Sequence, residues 1–294
     1  MRSNRFARLA VLFLLLGSTS KAVEPGLPSK TAVWVAAARA LGAKNPDPKK
    51  RNPDYLAIKF LGPRERALLP DYPMDALDLD FDAAMKQLGV NLPVGSQAFR
   101  TKAFDAALLD ALRHGARQVV VLGAGFDSRG YRFQSRLRGV RFMEVDYGPT
   151  QEYKKQRVQE ILGTTPANVS YVPMDFTKDS LLDQLVKAGY SEQQQTFFLW
   201  EGVVFYLPES AVKDTLHFVR DHAAPGSRIA FNYEFSRDRN INNPQSLYAR
   251  WGEPWLFGFP DDGAAAYVKR EGLEVMSDTK TAQNICIASV PKKK

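Results

Sequence analysis

Gly123-Ala124-Gly125 directly follows the unbroken apolar run Val119-Val120-Val121-Leu122. Such a run suits a strand buried on both faces. Two glycines at its end permit a tight turn in which backbone N–H groups approach a ligand. A carboxylate about 20 residues further on would accept hydrogen bonds from a ribose, and Asp146 closes the next strand-like stretch, Arg141-Phe142-Met143-Glu144-Val145. Together these features point to an adenosine-containing ligand. The dinucleotide pattern G-x-G-x-x-G would put a third glycine at position 128, where this chain has Ser128; that weakens a nicotinamide reading. Two more acids follow later apolar runs, Asp175 after residues 169–174 and Glu201 after residues 196–200. Open parallel sheets bind ligands at the carboxyl ends of their strands, so acids in series describe ribose and adenine recognition better than capping. Asp175 taken alone is equally placed to cap a helix near Lys178.

The elements that must position these residues follow from periodicity. Residues 28–41 read as a helix capped by Ser29 or Thr31, residues 55–61 as a short apolar helix, and 79–88 as an amphipathic one. Prolines at 63, 70, 73 and 93 make 62–95 largely irregular, a lid or cap rather than a domain with its own core. Apolar residues at helical spacing over 97–114 lead straight into the glycine turn. From there strands at 141–146, 169–175, 196–199 and 228–235 alternate with helices at 149–162, 178–189 and 208–222, the pattern of a parallel sheet covered on both faces. A long stretch, 236–262, is rich in Asn, Pro, Trp and Phe. A helix (262–271) and two strands (273–277 and 284–290) close the chain. This divides it into a segment 1–22, a helical N-terminal cap 23–95, and a ligand-binding domain 96–294 with an insertion at 236–262.

The 294 residues are 45% hydrophobic and 24% charged, ordinary values for a globular chain. The net charge of +8 is concentrated at the ends. Arg2, Arg5, Arg8 and Lys21 contribute four positive charges and Lys292, Lys293 and Lys294 another three, so the body is nearly neutral and nucleic acid is not an indicated partner. Residues 1–22 resemble a secretory signal peptide: arginines, an apolar run from 9 to 16, then small residues suited to cleavage after Ala22. That run is well short of the roughly 20 residues that span a bilayer, so no stable membrane span is expected and export follows, although an adenosine-type cofactor suggests the cytoplasm. Cys286, the single cysteine, excludes an internal disulfide and reads as an apolar core residue of a late strand. His114, His217 and His222 have no metal-ligand spacing, and no metal is expected.

Longer segments carry a family resemblance. SKTAVWVAAARAL (29–41), FRTKAFDAALLDAL (99–112), QVVVLGAGFDSRGYRF (118–133), FMEVDYGPTQEYKK (142–155), YVPMDFTKD (171–179), LWEGVVFYLPESAV (199–212) and FNYEF (231–235) resemble the leucine carboxyl methyltransferase family, in particular its large bacterial branch of S-adenosylmethionine-dependent enzymes. The resemblance runs from about residue 28 to 290. It implies an α/β fold, the seven-stranded class I methyltransferase (Rossmann-like) sheet with an antiparallel final strand and a helical cap, and S-adenosyl-L-methionine as cofactor. By position it implies Arg100 against the methionine carboxylate, Lys30 as a second carboxylate contact and Gly123 along the methionyl part. Asp146 would then take the ribose hydroxyls, Asp175 and Phe176 would flank the adenine, and Glu201 matches the acid that follows the fourth strand. Gly148-Pro149 departs mildly from the family pattern. Residues 236–262 depart strongly from the protein-phosphatase methyltransferases, so a peptide substrate is not transferred.

Transfer from a sulfonium can proceed largely by positioning; a carboxylate acceptor needs no base, whereas a hydroxyl does. Tyr206, Tyr233 and Glu234 are candidates for the acceptor side, and no catalytic residue is assigned. The expected activity is O-methylation of a carboxylate or hydroxyl on a small molecule. An NAD-type oxidoreductase and an exported, non-catalytic binding protein on the same scaffold are the alternatives. Nothing in the sequence sets the oligomeric state.

Overall fold

The computed structural model describes residues 27–292; the signal-like segment 1–22 lies outside the described residues. Seven strands form one sheet: β1 (Gln118–Leu122), β2 (Arg141–Asp146), β3 (Val169–Pro173), β4 (Thr196–Trp200), β5 (Arg228–Tyr233), β6 (Glu274–Lys280) and β7 (Asn284–Ser289). Their order is β3-β2-β1-β4-β5-β7-β6. β1 lies parallel between β2 and β4, with Gln118 opposite both Arg141 and Thr196. β7 inserts antiparallel between β5 and β6. The strand order reverses between β1 and β4, where open α/β sheets leave a crevice for ligands.

The helices are α1 (Lys30–Ala43), α2 (Pro63–Ala67), α3 (Phe81–Leu88), α4 (Val94–Arg113), α5 (Arg129–Arg132), α6 (Gly148–Leu162), α7 (Leu181–Lys187), α8 (Glu209–His222), α9 (Leu247–Arg250) and α10 (Gly263–Arg270). Ser29 caps α1 by accepting from the Ala32 N–H at 3.1 Å, and Asp80 caps α3 through the Ala83 N–H at 2.9 Å, each supplying an acceptor that a helix start lacks. The expected helix at 55–61 is a 3-10 turn, Ala57–Phe60. The helix expected from 178 begins at Leu181, because Ser180 accepts from the Asp183 N–H and sets the start there. α4 starts at Val94, so the expected cap boundary at 95 falls in its first turn.

Side chains alternate across a strand, and the core divides accordingly. Val119, Val121, Phe197 and Leu199 face one layer; Val120, Leu122, Phe198 and Trp200 face the other. The first layer also contains Val33, Leu41, Phe60, Leu77 and Leu88. The N-terminal elements therefore complete one face of the sheet and have no core apart from it. Cys286 is buried in the second layer. Among the described residues no helix is long and apolar enough to cross a membrane.

At the crevice the turn after β1 depends on glycine. Gly123 has φ +70° and Gly125 φ +42°, in the left-handed region that disfavours side chains. A Cβ on Gly123 would also collide with the Val203 side chain, whereas one on Gly125 would find Ala32 Cβ at 3.5 Å. Gly123→Ala should therefore lose more stability than Gly125→Ala, for which about 1–2 kcal/mol of backbone strain is the main term. Thermal melts of the two variants would rank them, and adding Val203→Ala to Gly123→Ala should recover part of the loss.

Candidate active site

A cavity of about 700 Å³ opens at the carboxyl ends of β1, β2, β4 and β5, within the size range of small-molecule sites. Its floor is charged. Glu201, one residue past β4, is buried and gathers three guanidinium groups: Arg39 from α1, Arg100 from α4 with Nε 2.9 Å from Oε1, and Arg129 from α5 with Nη1 2.8 Å from Oε2. Behind them Arg129 also pairs with Asp127 and, at 2.6 Å, with Asp105. Arg132 reaches Asp105 at 3.0 Å and Asp54 at 3.6 Å. Four arginines thus meet four carboxylates.

The pKa directions show how this balance is distributed. Burial alone would raise Glu201, but Arg39, Arg129 and Arg100 outweigh it and hold the carboxyl far below its ordinary value. Burial also opposes charge on Arg39, where Glu201 and Asp54 prevail and the pKa rises. On Arg100 burial wins over Glu201, with Arg39 adding repulsion, and the pKa falls. Arg100 is thus the member least compensated by protein anions. Its Nε is bonded to Glu201, and its two terminal nitrogens have no hydrogen-bond acceptor among the described residues. An anionic group of a ligand would complete it.

The wall at β2 is a hydrogen-bonded carboxylate. Asp146 accepts from the Gly125 N–H and, at 2.7 Å, from the Tyr147 N–H. Burial pushes its pKa up, against those two donors. Tyr147 and Phe176 line the cavity beside it. The roof is aromatic and comes from the 236–262 stretch and the α1 and β4 ends. Tyr248 stacks on Trp255 with centroids 4.3 Å apart, Trp255 lies 4.3 Å from Phe205, and Trp34 meets Tyr248 edge-on at 6.4 Å. Glu253 pins this roof to the start of α1. It accepts from Ser29 Oγ at 2.6 Å, from the Lys30 N–H at 2.9 Å and from Thr31 Oγ1.

Of the residues expected from sequence, Arg100, Gly123, Asp146, Phe176 and Glu201 line one cavity, while Lys30 and Asp175 do not. Lys30 contributes its backbone N–H to the Glu253 latch, and its neighbours Ser29 and Thr31 reach the cavity. Asp175 is turned to its own loop, accepting from the Thr177 N–H and hydroxyl and pairing with Lys178 at 2.9 Å. It does not cap the helix near Lys178 either, since α7 begins at Leu181 with Ser180 as its cap. Glu201 lines the cavity, but its oxygens are committed to arginines. On the acceptor side, Tyr206 and Glu234 line the cavity; Tyr233 points away and donates to Asp278 at 2.9 Å. Sequence reasoning missed Arg39, which sits inside an alanine-rich helix with no charged neighbour to mark it. It also missed Asn232, whose Oδ1 holds the Gly202 N–H at 2.6 Å. The aromatic composition of 236–262 was the only trace of the roof.

A seven-stranded sheet whose final strand, β7, lies antiparallel between β5 and β6, with a glycine turn after β1 and an acid ending β2, makes the class I methyltransferase (Rossmann-like) fold. More narrowly, the chain belongs to the leucine carboxyl methyltransferase family, whose model matches residues 32–220. A Mycobacterium avium protein is 37% identical over 207 residues, 69% of this chain and 64% of that one. The chain thus spans just under two thirds of that relative. A Mycolicibacterium paratuberculosis protein is 36% identical over 260 residues, 85% of this chain and 81% of its own length. A Mycobacterium bovis protein is 34% identical over 282 residues, 89% and 88% of the two chains. The names of all three place them among S-adenosyl-L-methionine-dependent methyltransferases. Among solved structures, human N-acetylserotonin methyltransferase in complex with its cofactor overlays with a TM-score of 0.45 at 14% identity, over 89% of this chain and 67% of that one. Neither the oxidoreductase nor the binding-scaffold alternative is favoured by these relatives.

Glu201→Gln removes one charge from a buried cluster, taking one of several anionic partners from Arg39 and Arg129 and, among the described residues, the only one from Arg100. It should cost about 3–5 kcal/mol in urea unfolding at pH 7. A depressed folded pKa contributes stability above the unfolded value and loses it as pH falls through the folded one. The gap between wild type and variant should therefore narrow steadily below pH 4.5, the ordinary value for the group.

Proposed function

We propose that the protein transfers the methyl group of S-adenosylmethionine to an oxygen atom of a small molecule seated under the aromatic roof. The observation that carries this reading is that one cavity is lined by two kinds of residue: Arg100, the glycine turn and Asp146, and the aromatic side chains of Tyr248, Trp255, Phe205 and Trp34. The residues fit the cofactor in kind. Asp146, already fixed by two backbone N–H groups, has lone pairs left for ribose hydroxyls. Gly123 and Gly125 leave backbone where a side chain would intrude. Tyr147 and Phe176 offer planar faces for an adenine. The terminal nitrogens of Arg100 suit the methionyl carboxylate.

When bound, S-adenosylmethionine supplies an electrophilic methyl group on a sulfonium. The chain's own contribution is then to hold the acceptor in line and to exclude water. The roof, latched by Glu253 to α1, does the second. Burial leaves the Tyr206 hydroxyl, and that of Tyr248, whose pKa is pushed up to about 12, neutral at physiological pH. Neither is a base there, and both can donate or accept hydrogen bonds to an acceptor.

Two binding measurements test the cofactor assignment. Asp146→Ala should weaken S-adenosylhomocysteine by about 1–3 kcal/mol in calorimetry with the melting temperature nearly unchanged; an unaltered affinity removes Asp146 from the site. Arg100→Lys keeps the charge but loses the planar fork. It should weaken S-adenosylhomocysteine while a decarboxylated analogue is indifferent to the change. Equal losses for both ligands would mean that Arg100 acts through the Glu201 cluster alone.

A further inference from the structure

Glu234, the residue immediately after β5, lines the cavity and carries a carboxylate that no protein donor satisfies among the described residues. This contrasts with the other acids of the cavity. Asp146 has two backbone donors, Asp127 the backbone N–H and guanidinium of Arg129, Glu201 three guanidinium groups, and Glu253 two hydroxyls and two backbone N–H groups. The position of Glu234 is built: its backbone carbonyl accepts from the Phe259 N–H at 2.8 Å, clamping the strand end to the 236–262 stretch. Tyr248, stacked on Trp255 in the roof, feels the Glu234 charge, which adds to the raising of its hydroxyl pKa by burial. The charged groups that act on Glu234 are Asp238 from its own loop and Arg100 from α4.

We propose, building on the methyl-transfer reading, that Glu234 is the general base for a hydroxyl acceptor with an aromatic body, packed on Tyr248 and Trp255. A half-buried carboxylate that lines the cavity and has no protein donor among the described residues repels an acceptor that is itself a carboxylate, and it serves no purpose for one, because a carboxylate is already nucleophilic. A hydroxyl needs the proton taken. As the acceptor oxygen bonds to the methyl carbon, the carbon–sulfur bond breaks with its electron pair going to sulfur, and the hydroxyl proton passes to Glu234. The proton later leaves to solvent, which returns the carboxylate. Burial, with Asp238 adding and Arg100 opposing, pushes the Glu234 pKa up to about 7, where a base is ionised enough to accept and basic enough to act.

4-Cresol, neutral across pH 5.5–8.5, and 4-methylbenzoate, an anion throughout, separate the two acceptor classes (about this range, from the ordinary phenol and carboxyl values). Each is titrated into protein saturated with S-adenosylhomocysteine. 4-Cresol should bind more tightly as pH rises through about 7, where Glu234 becomes an acceptor, and 4-methylbenzoate more weakly. Glu234→Gln should flatten both profiles. Turnover of 4-cresol with methyl-labelled S-adenosylmethionine should fall by roughly 10²–10⁴-fold in Glu234→Gln, with S-adenosylhomocysteine affinity unchanged. The proposal is overturned by faster methylation of 4-methylbenzoate than of 4-cresol, by a Glu234→Gln variant that keeps its rate, or by 4-cresol failing to bind. Failure of wild-type protein to bind S-adenosylhomocysteine would instead sink the methyl-transfer reading beneath it.

Discussion

A single buried carboxylate, Glu201, holds the site together. Three different helices, α1, α4 and α5, each send an arginine to it. Removing a charge from water is costly unless it is paired and hydrogen-bonded, so none of these arginines can be buried unless the others' segments are in place. The cluster couples the N-terminal helices to the sheet at the point where the strand order reverses. It also leaves one guanidinium, that of Arg100, short of an anion. The network that joins these segments therefore reaches the cavity itself at Arg100.

The opposite wall works by a different force. The roof residues Trp34, Tyr248, Trp255 and Phe205 present large apolar faces with few charges. They are brought over the cavity because Glu253 supplies acceptors for the unpaired first N–H groups of α1 and the hydroxyls of Ser29 and Thr31. A helix start is favourable for a carboxylate, and here the carboxylate belongs to a segment more than 200 residues away. Charged groups and aromatic faces thus line one and the same cavity.

Much of this was legible in the chain. The β-branched run before Gly123, the 3.6 period of residues 97–114 and the alternation after 141 fix strands and helices locally, since side-chain period and glycine placement are properties of adjacent residues. Gly123 and Asp146 are readable for the same reason: each follows its strand by a short interval, and the strand carries it to the crevice. Glu234 was visible as a candidate because it ends a strand. Lys30 and Asp175 were misplaced because sequence position gives a segment its location but not the direction of a side chain, and each lies within a residue of one that does reach the cavity.

What only the tertiary structure decided is which charges meet. Nothing local marks Arg39 as different from other helix arginines, or tells that Glu201 is spent on arginines while Glu234 is left unpaired. Those facts depend on distances between segments 100 or more residues apart, and on burial, which makes a missing partner matter. The sequence by itself determined the sheet, the glycine turn and the acid that ends β2, because each rests on the periodicity of neighbouring residues. Folding decided which carboxylate is a counter-ion and which is left without a protein partner among the described residues, because electrostatic pairing is settled by three-dimensional proximity and not by order along the chain.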